Sequence, residues 1–243
     1  MLDGRIILVT NILDFTGQPA ARELAARGAT VVAHDGAFSD AEARKDFEAE
    51  NKGMTSLENQ DPEACVAELL EKFGQLDVLI SNDIGDAKRA KIDEASLDDF
   101  RDALESMTVA PFAFARAVVP GMKARQQGKI IFITSATPLK GLPNYAMYVT
   151  ARGATNALTL TLAHELAGDN IQVNALAPNF VESPAYFPKE LVDNPETLAR
   201  ITKNIPLGRL GKPQEVGEAI AFLASDSSNF ITGHVMPFAG GWA

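Results

Sequence analysis

The sequence offers little sulfur and little imidazole: one cysteine, Cys65, and three histidines in 243 residues. A single cysteine excludes an internal disulfide framework and suits a reducing compartment. With so few thiol or imidazole donors no metal-ligand spacing is present, and no metal is expected. No apolar run approaches the length of a membrane span, and the N-terminal "MLDGRIILVT" is far too short for a signal or anchor. Positive charge is scarce as well, with 22 Lys and Arg against 32 Asp and Glu and a formal net charge of −10. That balance opposes nucleic-acid backbones and anionic membranes. The short "AKRAK" stretch (87–91) sits among acids and reads as a solvated loop. These absences leave a cytoplasmic chain working with ordinary side chains. Its 46% apolar and 22% charged residues are those of a globular protein, long enough to bury a core without staples.

What the sequence does contain is alternation. "RIILVT" (5–10), "ATVVAH" (29–34), "DVLISN" (77–82), "KIIFIT" (129–134) and "IQVNAL" (171–176) are continuously apolar and read as strands buried on both faces. Helical patterns separate them: "PAARELAARG", "DAEARKDFEAEN", "PEACVAELLEKFG", a long run from Ser96 to Arg125, and "MYVTARGATNALTLTLAHELAG". Ser39 or Asp40 caps the second and Asp61-Pro62 opens the third, while Gly28, Gly74 and Gly168 stand where helices should end. Strand–helix alternation of this kind implies an α/β fold, a single-domain doubly wound parallel sheet over residues 1–243. In such sheets ligands bind at the carboxyl ends of the strands. Thr10, Asn82, Asp83, Ser135 and Pro178 all fall just past those ends.

Ser135 precedes Tyr148 by thirteen residues, and Arg152 follows Tyr148 by four, one helical turn along the same face. Tyrosine titrates near 10 in water and is a poor base at neutral pH. A fixed positive charge about 5 Å away, at an effective dielectric near 20, favours a phenolate by roughly 3 kcal/mol. Arginine suits that task because it stays protonated. A serine beside them can hold an oxygen with a hydrogen bond, so the three residues suit proton removal from an alcohol. Packing of Tyr148 against the sheet, with Arg152 merely exposed, is the plainer alternative.

The strand–helix pattern, the Ser135–Tyr148 spacing and the C-terminal "IPLGRLGKPQEVGEAIAFLAS…ITGHVMPFAGG" (205–241) resemble a short-chain dehydrogenase/reductase over essentially the whole chain. The residues that would hold a nicotinamide cofactor are nonetheless altered together. Such an enzyme carries T-G-x-x-x-G-x-G after its first strand. Here the stretch is "TNILDFTG", with Asn11 and Phe15 at the first two glycine positions and only Gly17 kept. Asn11 and Asn179 each suit the left-handed conformation of a turn glycine. The lysine four residues after the tyrosine is Arg152, "N-N-A-G" becomes "SNDIG" (81–85), and "P-G" becomes Pro178-Asn179-Phe180.

In that combination the chain resembles halohydrin dehalogenases, whose T-x4-[FY]-x-G pattern is matched by Thr10, Phe15 and Gly17. Their Ser–x12–Tyr–x3–Arg triad is matched by Ser135, Tyr148 and Arg152. The resemblance implies a cofactor-independent reaction. Ser135 positions the hydroxyl of a vicinal haloalcohol, Tyr148 removes its proton with support from Arg152, and the alkoxide displaces the neighbouring halide to give an epoxide. It also implies reversal, with epoxides opened by small anions such as azide, cyanide and nitrite. The halide is expected among Phe15, Pro178, Asn179, Phe180, Tyr186 and Phe187, which offer backbone N–H groups and aromatic edges. Asp83, in the family's "S-N-D" segment, is expected to orient Arg152 directly or through water and to help pass the proton outward. The runner-up is an NAD(P)-dependent short-chain oxidoreductase with an atypical nucleotide loop. Its best support is Asp35 at the end of the second strand, read otherwise as a remnant or capping residue. The resemblance further implies a homotetramer paired through the long helix and the Tyr148 helix. Trp242 in "FAGGWA" either reaches a neighbouring subunit or anchors locally.

Overall fold

The computed structural model describes residues 2–184 and 186–243. Seven strands form one parallel sheet: β1 (Ile6–Val9), β2 (Thr30–Ala33), β3 (Thr55–Ser56), β4 (Val78–Ser81), β5 (Gly128–Ile133), β6 (Ile171–Pro178) and β7 (Val235–Phe238). Their order is β3-β2-β1-β4-β5-β6-β7. The helices are α1 (Gly17–Ala26), α2 (Ala41–Glu50), α3 (Pro62–Phe73), α4 (Leu97–Leu104), α5 (Ala110–Arg125), α6 (Thr137–Lys140), α7 (Ala146–Leu166), α8 (Lys189–Val192), α9 (Pro195–Thr202) and α10 (Pro213–Ala224).

The continuous apolar strands are explained by cover on both faces. On β5, Ile131 and Ile133 join Leu24 of α1 and Ile220 of α10 on one side. Ile130 and Phe132 meet Leu69 of α3, Phe114 of α5 and Ala163 of α7 on the other. The order reverses beside β1, which pairs with β2 on one edge and β4 on the other. A crevice therefore opens at the carboxyl ends of β1 and β4, and this is where the fold places a ligand.

The sequence reading finds five of the seven strands. β3 is only two residues long, and β7 is an edge strand, mostly half-buried, whose Pro237 argues against a strand except at an edge. The Ser96–Arg125 run is interrupted by a π turn at Glu105–Val109, tied to α7 where Thr108 Oγ1 donates to Ala151 O (3.0 Å). Asp40 and Asp61 cap α2 and α3 through Glu42 N and Ala64 N, and Gly28 and Gly74 take positive φ where their helices end. Gly168 does not: α7 continues into a tighter turn over Ala167–Asp169, and Asn170 takes the left-handed position at φ 56°. No helix among the described residues is long and apolar enough to cross a membrane.

Candidate active site

The loop after β1 is closed on itself. Asn11 and Phe15 both adopt φ 43°, a conformation that costs a side-chain-bearing residue about 1–2 kcal/mol and that bulky residues rarely hold. Between them Ile12 is fully buried, its N–H donating to His34 O (3.1 Å). Leu13 N donates to Asp35 Oδ2 and Ala37 N to Asp35 Oδ1, each at 3.0 Å. Asp35 is thus a capping residue, with both carboxylate oxygens engaged by backbone. Asn82, past the end of β4, donates to Asn11 O and Asp14 O (2.9 Å each) and accepts from Thr16 Oγ1 (2.8 Å). Gly17 lets α1 approach: a Cβ there would lie 2.4 Å from Ile12 O.

A dinucleotide does not fit this loop. The N–H groups of Ile12 and Leu13 are bonded inward to His34 O and Asp35 Oδ2 and are not free to meet a ligand. The acid that would hold a ribose is occupied by the same loop, and Phe15 forms part of the wall of the cavity beyond it.

That cavity, of about 780 Å³, is lined by Ser135, Tyr148, Phe15, Pro178, Asn179, Phe180, Tyr186 and Phe187. The structure thus gathers every expected hydroxyl and aromatic position around one space. Ser135 follows β5 and is buried; its Oγ accepts from Thr137 N (3.1 Å) and lies 3.0 Å from Thr137 Oγ1. Thr137, not anticipated from the sequence, therefore holds the Ser135 oxygen in place, and either hydroxyl of the pair can donate to the other. Tyr148 begins α7 and Arg152 follows one turn later at 1% exposure, so the exposed-arginine alternative fails. The guanidinium carbon lies 5.6 Å from the Tyr148 ring centroid. Arg152 Nη1 donates to Asp83 O (2.8 Å) and Ile133 O (3.0 Å), while Nε and Nη2 have no hydrogen-bond partner among the described residues. Burial works against its charge, but Tyr148 and Tyr186 nearby more than offset this and hold its pKa above the usual arginine value.

The wall opposite is aromatic. Phe180, at φ 58°, is the residue after β6 that goes left-handed; Asn179 does not, and instead accepts from Phe180 N through its Oδ1 (3.0 Å). Tyr186 packs edge-on to Phe15 (5.1 Å between centroids) and donates its hydroxyl to Gly85 O (3.1 Å). Burial pushes the Tyr186 phenol up to about 12, against the opposing pull of Arg152, so it remains a donor across the neutral range.

Asp83 lies against Arg152. It reaches Arg152 through its main-chain oxygen, while its carboxylate accepts from Thr10 Oγ1 (3.2 Å), Asn11 Nδ2 (2.7 Å) and Ser81 Oγ. Full burial raises its pKa to about 6, with the Ser81 and Thr10 hydrogen bonds and the Arg152 charge working the other way. Trp242 also lines the cavity and packs on its own chain, edge-on to Phe180 at 5.6 Å. Nothing in "FAGGWA" signals which wall that ring joins. Among the described residues no cluster of His, Cys, Asp and Glu could hold a metal ion.

The enoyl-(acyl carrier protein) reductase family profile matches residues 16–243. A 3-oxoacyl-(acyl-carrier-protein) reductase of Thermotoga maritima is 32% identical over 99% of this chain and 98% of its own. Among solved structures, one described as a dehalogenation enzyme is 49% identical with a TM-score of 0.97, covering 100% of this chain and 99% of that one. A halohydrin dehalogenase bound to ethyl (2S)-oxiran-2-ylacetate is 37% identical with a TM-score of 0.94, covering 97% and 96%.

Proposed function

Because the chain belongs to the short-chain dehydrogenase/reductase family and is similar to halohydrin dehalogenases at full length, we propose that it converts vicinal haloalcohols to epoxides without a redox cofactor. The observation that carries this reading is the closed loop at Asn11–Thr16 facing Tyr148 and the buried Arg152. Tyr148, with Arg152 buried behind it, borders a cavity that Phe15 of this loop helps to wall.

Ser135 donates a hydrogen bond to the substrate hydroxyl, and Tyr148, as phenolate supported by Arg152, takes its proton. The alkoxide oxygen then attacks the adjacent carbon; the carbon–halogen bond breaks and the halide leaves with its electron pair. The products are an epoxide, a halide ion and a proton. Both partners belong to one molecule, so the enzyme mainly generates the alkoxide and receives the anion. Phe15, Phe180, Tyr186 and Phe187 line the cavity that receives that anion, with Pro178 and Asn179 beside them. In reverse, azide, cyanide or nitrite enters the same place and opens the epoxide.

Pure protein without nicotinamide is expected to release halide from 1,3-dichloro-2-propanol and its bromo analogue in proportion to enzyme. The reductase relatives favour a second reading, an NAD(P)-dependent oxidoreductase. Micromolar binding of NADH or NADPH together with no halide release would establish that reading instead.

Asp83 is proposed to help pass outward the proton that Tyr148 sheds between turnovers. Its proton is held more tightly in the folded chain, at about 6 against an ordinary 3.8, so two consequences run in opposite directions. Activity should rise with pH through about 6 as the carboxylate ionises. Stability from this group is present below about 4 and is lost as pH rises to about 6. Asp83→Asn should flatten both profiles; an unchanged activity profile would remove Asp83 from the relay.

The assembly proposed is a cytoplasmic homotetramer. Val109 beside α5, Phe112 on α5 and Leu160 on α7 leave 46%, 50% and 47% of their surface exposed, on the two helices that this assembly would pair. Light scattering should return a mass near four times 26.0 kDa, and a monomer would overturn the assembly.

A further inference from the structure

Every residue of β5 is buried, yet its second residue is a lysine, Lys129, at 5% exposure. Lysine is almost never buried so far without a charged partner. The Lys129 ammonium carries three N–H donors. Among the described residues it makes one hydrogen bond, to Ser228 Oγ (3.0 Å), and no ion pair. The carboxylate that acts on it, Asp226, is bonded instead to Arg5 Nη2 at 2.6 Å. Burial lowers the Lys129 pKa to about 8, with Asp226 opposing this and the Arg5 charge adding to it. The ammonium is therefore charged at neutral pH and short of negative charge.

Beside it lies a cavity of about 40 Å³, lined by Arg5, Gln127, Lys129, Asn170, Gln172 and Asn229. At about 30 Å³ per water-sized group, this is room for one monatomic ion and too little for a five-atom oxyanion. Two of the surrounding amides already donate elsewhere: Gln172 Nε2 to Asn170 O (3.3 Å) and Oδ1 (3.2 Å), and Asn229 Nδ2 to Asp226 Oδ1 (3.5 Å). That leaves two cations, Lys129 and Arg5, against one carboxylate. Ser135 stands six residues further along the same strand, about 20 Å away at 3.3 Å per residue. This cavity is therefore separate from that of the proposed reaction.

We propose that the crevice at the amino end of β5 binds a single halide-sized anion between Lys129 and Arg5. The anion supplies the charge that the buried ammonium lacks, turning an unpaired cation into a paired one. Sodium bromide in place of sodium gluconate, at equal ionic strength, should raise the melting temperature of the parent more than that of Lys129→Met. The difference should reach about 3–6 °C at ten times the half-saturating bromide concentration. Sulfate should produce no such difference, and Arg5→Gln should raise the half-saturating bromide concentration at least fivefold. In bromide-soaked crystals, anomalous diffraction should place a peak in contact with Lys129 Nζ. Equal rises in the parent and Lys129→Met, or an equal response to sulfate, overturn the site. So does a crystal peak without the melting difference, which marks an adventitious ion only. If Lys129→Met does not fold, the parent crystal and Arg5→Gln decide: no peak at Lys129, or an unchanged half-saturation, overturns the site. Halide release from 1,3-dichloro-2-propanol should be the same in the parent and Lys129→Met, so this site and the dehalogenase reading fail in different measurements.

Discussion

Tyr148→Phe is expected to lower halide release by about 1,000-fold or more while leaving the fold intact, the upper part of the range for loss of a positioned general base. The substitution removes one oxygen and retains the ring. That ring belongs to a small cluster with Met107 and Ala151, and its face lies 5.6 Å from the Arg152 guanidinium, contacts that a phenyl group keeps. Circular dichroism and urea midpoint should therefore match the parent within about 1 kcal/mol, the scale of one net hydrogen bond. The other tyrosine beside Arg152 cannot take its place on the substrate alcohol: Tyr186 holds its proton up to about 12 and directs it to Gly85 O. A variant within tenfold of the parent rate would mean that Tyr148 is not the base. A variant that loses its circular dichroism would leave Tyr148 a packing residue.

Gly17→Ala should destabilise the protein by about 3 kcal/mol or more, since overpacking against rigid surroundings reaches the upper end of single-substitution effects. The added Cβ would stand 2.4 Å from Ile12 O and 2.7 Å from the Ile12 carbonyl carbon and Cα, all backbone atoms that no rotamer change can clear. Ile12 cannot retreat, because it is fully buried and its N–H is bonded to His34 O. Either α1 moves away from the loop, or the loop and Phe15 move into the cavity. At about 2–4 °C per kcal/mol for a chain of this size, the melting temperature should fall by roughly 6–12 °C. Activity should fall as well, since Phe15 moves with the loop. An unchanged melting temperature would show that helix and loop separate freely, and would reopen the question of what fills the nucleotide end.

How far such features can be read in advance depends on how local they are. Tyr148 and Arg152 share a helix face at any α-helical geometry, and Ser135 follows a strand of six buried residues. The α/β alternation is equally local, because strands covered on both sides must be apolar throughout. β7 escaped because an edge strand with Pro237 lacks that pattern, and the π turn at Glu105–Val109 escaped because "ESMTV" has no local signal for one. That Asp83 meets Arg152 with its main-chain oxygen could not be read from the order "SNDIG". Which side of a residue turns toward a cation is settled by Thr10, Asn11 and Ser81, which claim the carboxylate.

The chain's local order therefore specified the sheet, the helix bearing the base and its cation, and the replacement of a glycine turn by Asn11 and Phe15. Tertiary structure decided that this turn is shut. Asn82, some seventy residues away, bonds both ends of it, and Asp35 accepts its backbone. It also decided that Phe180 and not Asn179 turns left-handed, and that residues as distant in sequence as Phe15 and Trp242 face one cavity. The physical reason is one of range. Periodicity and spacing act over a few residues, whereas a strained φ at a phenylalanine persists only when hydrogen bonds and packing from elsewhere in the fold hold it there.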